Sequence, residues 1–142
     1  MSIKDSLGYV ITNTGRKLTQ QLTLKFQPFG ITSEQWAVLH WLTEEDGITQ
    51  RELSRRTEKD PTNVTRILDQ LEKKGWILRG ANGEDRRSFL IFVTESGREL
   101  SQELLPIEAQ FTRNMVQSLA DEDIAILRRA LSTINDHLNN PR

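Results

Sequence analysis

The middle third of the sequence constrains the fold most, because its local signals switch from a helical to an alternating pattern. A helix is expected to begin at Asp60-Pro61, since Asp is a favoured N-cap residue and Pro a favoured first helical residue, and to end at Gly75. A shorter helix precedes it, with Thr49 and Glu52 at capping-box spacing. The longer helix has one apolar stripe, which leaves a polar outer face. The stripe contains Val64, Ile67, Leu68 and Leu71, and the outer face contains Thr62, Asn63, Thr65, Arg66 and Asp69.

A β-hairpin is predicted directly after this helix. Segments 76–79 and 88–93 are rich in β-branched and aromatic residues, which favours strands. The loop that joins them contains Asn82-Gly83, a strong turn signal, and it ends in two arginines. The hairpin therefore has a basic tip.

Two helices are predicted before this middle part. The first begins at Leu7 and ends at a break marked by Pro28 and Gly30. The second follows a capping-box pair, Thr32 and Gln35, and is apolar nearly all round, so we expect it to be buried.

Two more helices are predicted after the hairpin. A long one runs from Thr94 to about Leu119 and is expected to bend at Pro106. The last follows Asp121, and its apolar residues step by three and four positions, as in a coiled-coil seam. The seam consists of Ile124, Leu127, Leu131, Ile134 and Leu138. The chain is thus predicted to be mainly α-helical with a small β-hairpin wing: a winged helix-turn-helix flanked by N-terminal and C-terminal helices.

Charge is distributed unevenly along the chain. Residues 49–94 carry ten basic and seven acidic side chains, whereas the flanks carry nine basic and thirteen acidic ones, for a net charge of -1 overall. A net charge this small gives no general attraction to a polyanion, so nucleic-acid binding would depend on the local basic patch. The N-terminus lacks the apolar core of a signal peptide and no apolar run is long enough for a membrane span, so we expect a cytoplasmic protein with no membrane partner.

The sequence contains few of the residues and motifs that an enzyme would use. It contains no cysteine and two histidines, and it has no HExxH, phosphate-binding glycine loop or Gly-x-Ser-x-Gly motif. Gly80 and Gly83 suit turn chemistry better than phosphate binding. We therefore expect no catalytic residues, no metal site and no cofactor.

Two stretches of the chain resemble the MarR family of bacterial transcription regulators. They are ITQRELSRRTEKDPTNVTRILDQLEKKGWILR and EDRRSFLIFVTESGREL, and the most specific signal is the wing pattern of Asp85-x-Arg87 followed by Leu90, Val93, Thr94 and Gly97. The resemblance covers essentially the whole chain. It implies a single domain over 1–142, with a winged helix-turn-helix DNA-binding lobe at 31–94 and dimerisation helices at 1–30 and 95–142. It further implies a homodimer that binds an inverted-repeat operator in double-stranded DNA and is released by a small aromatic or phenolic ligand.

The chain departs from the family pattern at three positions. Phe89 and Phe92 stand where many members carry polar or basic residues, which suggests extra packing under the wing. Ala120 stands where a Ser or Thr cap is common, which should weaken that cap by about 1 kcal/mol unless Asp121 replaces it. The absence of cysteine separates the chain from peroxide-sensing members, so thiol oxidation cannot be its signal.

The candidate DNA contacts lie on the two central helices and the wing. Taken alone, the outer face of the second helix would be read as solvated surface, but its place in a helix-turn-helix favours DNA contact. Arg66 could read guanine edges or hold phosphate, and Asn63 could serve adenine or the backbone. Arg87 is, by the resemblance, the minor-groove residue, and Asp85 its structural partner. The candidates are Thr49, Arg51, Thr62, Asn63, Thr65, Arg66, Arg86 and Arg87, of which Thr49 and Arg51 more plausibly hold phosphate.

Five residues are candidates for a ligand crevice between the DNA-binding lobe and the dimerisation helices. They are Tyr9, Arg16, Trp36, His40 and Phe111. The competing interpretation, that aromatic residues at helical spacing and a histidine one turn from a tryptophan are core residues, is the stronger one from sequence alone.

Together, the residues and the resemblance to the MarR family imply a dimeric repressor that a small aromatic or phenolic ligand releases from its operator. The alternative is a protein-binding or dimerisation module that reuses a winged helix without DNA. Such a module has no need of a basic wing tip or of Thr, Asn and Arg on the outer face of the second helix.

Overall fold

The structure, a computed structural model, describes residues 1–140. The chain divides after Ile107 into two compact units, Met1–Ile107 and Glu108–Arg142. The fold is mainly helical with one small antiparallel sheet, as predicted. None of the helices formed by residues 1–140 combines the length and hydropathy that a membrane span requires. The helices are α1 (Leu7–Phe26), α2 (Ser33–Glu44), α3 (Gln50–Thr57), α4 (Pro61–Lys73), α5 (Glu95–Met115) and α6 (Asp121–Asn139), and the strands are β1 (Ile48–Thr49), β2 (Ile77–Ala81) and β3 (Phe89–Val93).

The capping box predicted for α2 is complete. The Gln35 amide donates to the Thr32 hydroxyl at 3.1 Å, and the Thr32 amide donates to the Gln35 side-chain oxygen at 3.0 Å. Most apolar residues of α2 are buried as expected, namely Trp36, Val38, Leu39 and Leu42, but Trp41 is an exception at 43% exposure. Trp41 lies away from the buried face, which carries Trp36 and Leu39.

The second predicted capping box is only half formed. The Thr49 hydroxyl accepts from the Glu52 amide at 3.2 Å, so Thr49 is the N-cap of α3. The Glu52 carboxylate does not return to Thr49, because it accepts hydrogen bonds from Arg55 and Arg56 instead. Two guanidinium partners outcompete one backbone amide for the carboxylate.

The helix α4 forms as its end signals predict. Asp60 is the N-cap, its carboxylate accepting from the Asn63 amide at 3.3 Å, and Pro61 is the first helical residue. Past the C-terminus, Gly75 has φ of +80°, a left-handed conformation that suits glycine. The apolar stripe of α4 is fully buried, and it holds Val64, Ile67, Leu68 and Leu71.

The sheet has one strand more than predicted. Within residues 1–140 it is three-stranded with the order β1-β3-β2, so the expected two-stranded hairpin gains β1 on its outer edge. Ile48 lies opposite Ile91, and the Gly47 amide donates to the Ile91 carbonyl at 2.6 Å. A two-residue strand has no periodicity of its own, so only its pairing with β3 reveals it.

A compact joint connects the end of α4, the start of β2 and the start of α5. The Thr94 hydroxyl donates to the Gly75 carbonyl at 2.7 Å and accepts from the Gly97 amide at 3.0 Å. The Thr94 amide donates to the Trp76 carbonyl at 3.0 Å. A Cβ on Gly97 would lie 2.2 Å from that same carbonyl oxygen. Glycine is therefore required here by close packing of backbone against backbone.

The C-terminal helices differ from the prediction in detail. The helix α5 continues through Pro106 but ends at Met115, four residues before the predicted end. Ala120 precedes α6 without any side-chain cap, and Asp121 does not replace it. Acidic residues in the first turn of α6 still favour the helix through its dipole.

Candidate nucleic-acid interface

The outer face of α4 is polar and accessible. Thr62, Thr65 and Arg66 are exposed and Asn63 is half-buried, while the opposite face of the helix is buried in the core. The buried stripe holds the helix in place, so these four side chains project from a rigid element.

Arg66 is engaged by two acceptors on the protein. Its Nη2 donates to Glu34 Oε1 of α2 at 2.8 Å and to Asn63 Oδ1 one turn earlier on α4. The Arg66 side chain is nevertheless 54% exposed. Arg66 and Asn63 were predicted from the sequence but Glu34 was not, because a pairing across 32 positions leaves no local signal.

Thr65 is bound to α3 through a glutamine that was likewise not predicted from the sequence. Gln50 Nε2 donates to the Thr65 hydroxyl, which in turn donates to the Pro61 carbonyl at 3.0 Å. Gln50 is the first residue of α3. This chain of hydrogen bonds sets the spacing between the N-termini of the two helices.

The wing loop is held by short side-chain to backbone bonds. Asp85 Oδ1 accepts from the Arg87 amide at 2.9 Å, and Asn82 Oδ1 accepts from the Glu84 amide at 3.0 Å. Asn82 Nδ2 also donates to the Ser88 hydroxyl at 2.9 Å across the base of the loop. Such bonds substitute for strand pairing in turns. Asp85 thus turns its carboxylate toward the loop's own backbone.

The arginines of the wing tip extend into solvent. The Arg87 side chain is 96% exposed, with its Nε 3.8 Å from Asp85 Oδ1. The side chains of Arg86 and Arg51 are exposed and make no hydrogen bond or ion pair within the described part of the chain. Their charges are therefore available to an external anion.

A basic groove of about 720 Å³ separates the wing from α3 and the start of α4. It brings together the predicted residues Thr49, Arg51 and Arg87, with Asp85 as its one acidic lining residue. Arg66 and Asn63 lie outside it and line a second groove of about 990 Å³ beside α1 and α2. The basic lining of the first groove consists of Arg51, Arg55, Lys59, Arg79 and Arg87.

Acidic partners neutralise two of the basic residues that line this groove, Arg55 and Arg79. Arg79, at the base of the wing, is bound by Asp69 and Glu72, both at 2.8 Å. Hydrogen bonds from Arg55, and then from Arg56, lower the pKa of Glu52 to about 2. These ion pairs support the scaffold, whereas the unpaired arginines lie at the wing tip and at the start of α3.

The candidate ligand residues do not all lie in one compact unit. Trp36 is 1% exposed, stacks on His40 with ring centroids 4.8 Å apart, and meets Phe26 edge to face. Tyr9 and Arg16 are exposed on α1, where Arg16 bonds Asn13 and Gln20 of the same helix. Phe111 is half-buried in the unit Glu108–Arg142. Among residues 1–140 no group of His, Cys, Asp or Glu is arranged to hold a metal ion.

Comparison with known proteins identifies the same lobe. A model of the MarR family matches residues 31–89. The chain is 31% identical over 111 residues to the HTH-type transcriptional regulator YdgJ of Bacillus subtilis, covering 78% of this chain and 68% of that protein. A mutant MarR from E. coli, solved in complex with operator DNA, aligns with a TM-score of 0.86 and 27% identity over 90% of this chain and 92% of that one. The MepR–DNA complex of S. aureus aligns with a TM-score of 0.86 and 25% identity over 92% and 97% of the two chains.

Proposed function

This chain belongs to the MarR family of transcription regulators, and from that premise we propose that it is a homodimeric repressor that a small aromatic or phenolic ligand releases from an inverted-repeat operator. Members of the family are regulators and not enzymes. Beyond membership of the family, we propose four things: the inverted-repeat operator, the homodimer, repression and release by a ligand.

The observation that best supports the proposal is that a polar helix face and a basic wing occur together. The helix α4 presents Thr62, Thr65 and Arg66 outward, with dimensions that suit a major groove. Arg87 projects from the wing at 96% exposure, as a side chain that enters a minor groove must. The similar MarR and MepR structures were solved with DNA, which supports the same use of this lobe.

Exposed apolar side chains support the homodimer. The helix α1 and the turn before it expose Ile3, Leu7, Tyr9 and Val10, and α6 exposes several residues of its predicted seam. Within the described chain α6 has no buried residue at all. Exposed apolar surface of this kind favours association with a second copy of the chain. The exposed residues of α6 include Leu127, Leu131 and Leu138, at 47%, 43% and 71% exposure.

The proposed ligand rests on chemistry and on the family. The sequence has no cysteine, which excludes a thiol oxidation signal. Release requires a ligand that prefers a dimer whose two α4 helices are spaced wrongly for successive major grooves. A differential affinity of about 1 to 3 kcal/mol between the two states gives roughly a 5- to 150-fold change in operator affinity.

Selection of bound duplexes from a random pool is the experiment that tests this function. We expect an inverted repeat with half-site centres about one helical turn, roughly 10 bp, apart. Sedimentation at micromolar concentration should show a dimer. Salt-insensitive recovery of random sequence would contradict specific binding, and no recovery of any duplex would favour the module that uses no DNA.

A further inference from the structure

Glu34 stands out because it is an acidic side chain that contacts a proposed DNA-reading residue. It lies in the first turn of α2, and its Oε1 accepts from Arg66 Nη2 at 2.8 Å. Its side chain is 43% exposed and lines the groove that also contains Lys59 and Asn63. A carboxylate beside the recognition face opposes the approach of phosphate, so its presence there requires an explanation.

The position of Glu34 is set by a rigid helix start. The capping box of Thr32 and Gln35 fixes the first turn, and Gln35 Nε2 donates to Gln70 Oε1 of α4 at 2.9 Å. Ser33, next to Glu34, is held by the Thr23 hydroxyl of α1 at 2.9 Å. Glu34 is thus presented to Arg66 by a preorganised turn.

The contact with Glu34 affects how Arg66 can bind DNA, because a guanidinium group forms paired hydrogen bonds in only two arrangements. Arginine grips a base edge or a phosphate with two parallel N–H bonds, using either Nη1 with Nη2 or Nε with Nη2. Both arrangements require Nη2. In Arg66 the two hydrogens of Nη2 serve Glu34 and Asn63, so neither two-bond arrangement is open in this structure.

We propose that Glu34 is an affinity-determining residue that competes with DNA for Arg66. Arg66 must leave Glu34 before it can form a two-bond contact with a guanine edge or a phosphate. This inference rests on the proposed DNA-binding function, which places the outer face of α4 against DNA. Glu34 therefore lowers the affinity of the regulator for DNA. Once Arg66 has moved to the DNA, the Glu34 carboxylate lies beside the DNA without its partner.

The test measures affinity by fluorescence anisotropy on the duplex recovered by selection, at one fixed salt concentration. Glu34→Gln and Glu34→Ala are expected to tighten binding roughly 2- to 5-fold, the range of an exposed ion pair. In an Arg66→Ala background the gain from the same changes should shrink to the part caused by carboxylate–phosphate repulsion alone, because no arginine remains to be released. Thermal unfolding of each variant checks that the fold is retained.

Glu44→Gln is the matched control. Glu44 lies at the other end of α2, pairs with His40 at 3.7 Å, and carries the same charge. If this control tightens binding equally, or if the full gain persists without Arg66, the effect is long-range charge and the inference is wrong. Weaker binding by Glu34→Gln would mean that Glu34 positions Arg66 productively, which also overturns it, as does unchanged affinity. A wild-type protein that binds no duplex contradicts the proposed function itself and the inference with it.

Discussion

The substitution Gly97→Ala tests the joint that connects α4, the wing and α5. The added methyl group would lie 2.2 Å from the Trp76 carbonyl oxygen and 2.9 Å from Val93 Cγ1, whereas real Cβ atoms essentially never approach closer than 3.0 Å. The nearest atom belongs to the backbone, so relief requires the chain at Trp76 to move by about 0.8 Å or more. That carbonyl also accepts from the Thr94 amide, so the shift strains this bond as well.

The expected cost follows from three terms. Overpacking costs about 1 to 3 kcal/mol, the strained hydrogen bond adds about 1 kcal/mol, and alanine returns about 1 kcal/mol of helix propensity. We therefore expect Gly97→Ala to lower the free energy of unfolding by about 1 to 3 kcal/mol.

Urea unfolding followed by circular dichroism, at one protein concentration, measures this loss. Gly15→Ala is the control, since no atom of residues 1–140 outside its own helix lies within 4 Å of the added Cβ. This control should gain about 0.5 to 1 kcal/mol. A Gly97→Ala protein as stable as the wild type would refute the packing argument.

Three other predictions concern the wing, the pH response and the ligand. Arg87→Ala should weaken operator binding by about 1 to 3 kcal/mol while leaving circular dichroism unchanged; an unchanged affinity would mean that the wing does not contact DNA. Because the pKa of Glu52 is lowered to about 2 from 4.5, the stability it contributes is present above pH 4.5 and is lost as the pH falls toward 2. The wild type should accordingly lose its stability advantage over Glu52→Gln across that interval, and a pH-independent difference would show that the arginine contacts do not act through charge. Salicylate-like acids should dissociate the operator complex where zinc and peroxide do not, and release by zinc or peroxide alone would point to a different signal.

Local sequence signals were sufficient for the elements that begin and end on short-range chemistry. Asp60-Pro61 predicted the start of α4 because the cap and the first helical residue are adjacent, and the Thr32–Gln35 capping box spans one turn. The outer face of α4 followed from its period, since a buried stripe leaves Arg66 outward. The family signal at Gly97 was also visible, although its physical cause was not.

Contacts between distant residues could not be read from the sequence. The strand β1 exists because Ile48 pairs with Ile91, and Arg66 meets Glu34 because α2 packs against α4. Glu52 shows the same limit at short range: its spacing from Thr49 predicted a return hydrogen bond, but two arginines bind its carboxylate instead. Periodicity and capping depend on neighbours along the chain, whereas the partner of a side chain depends on which elements packing brings together.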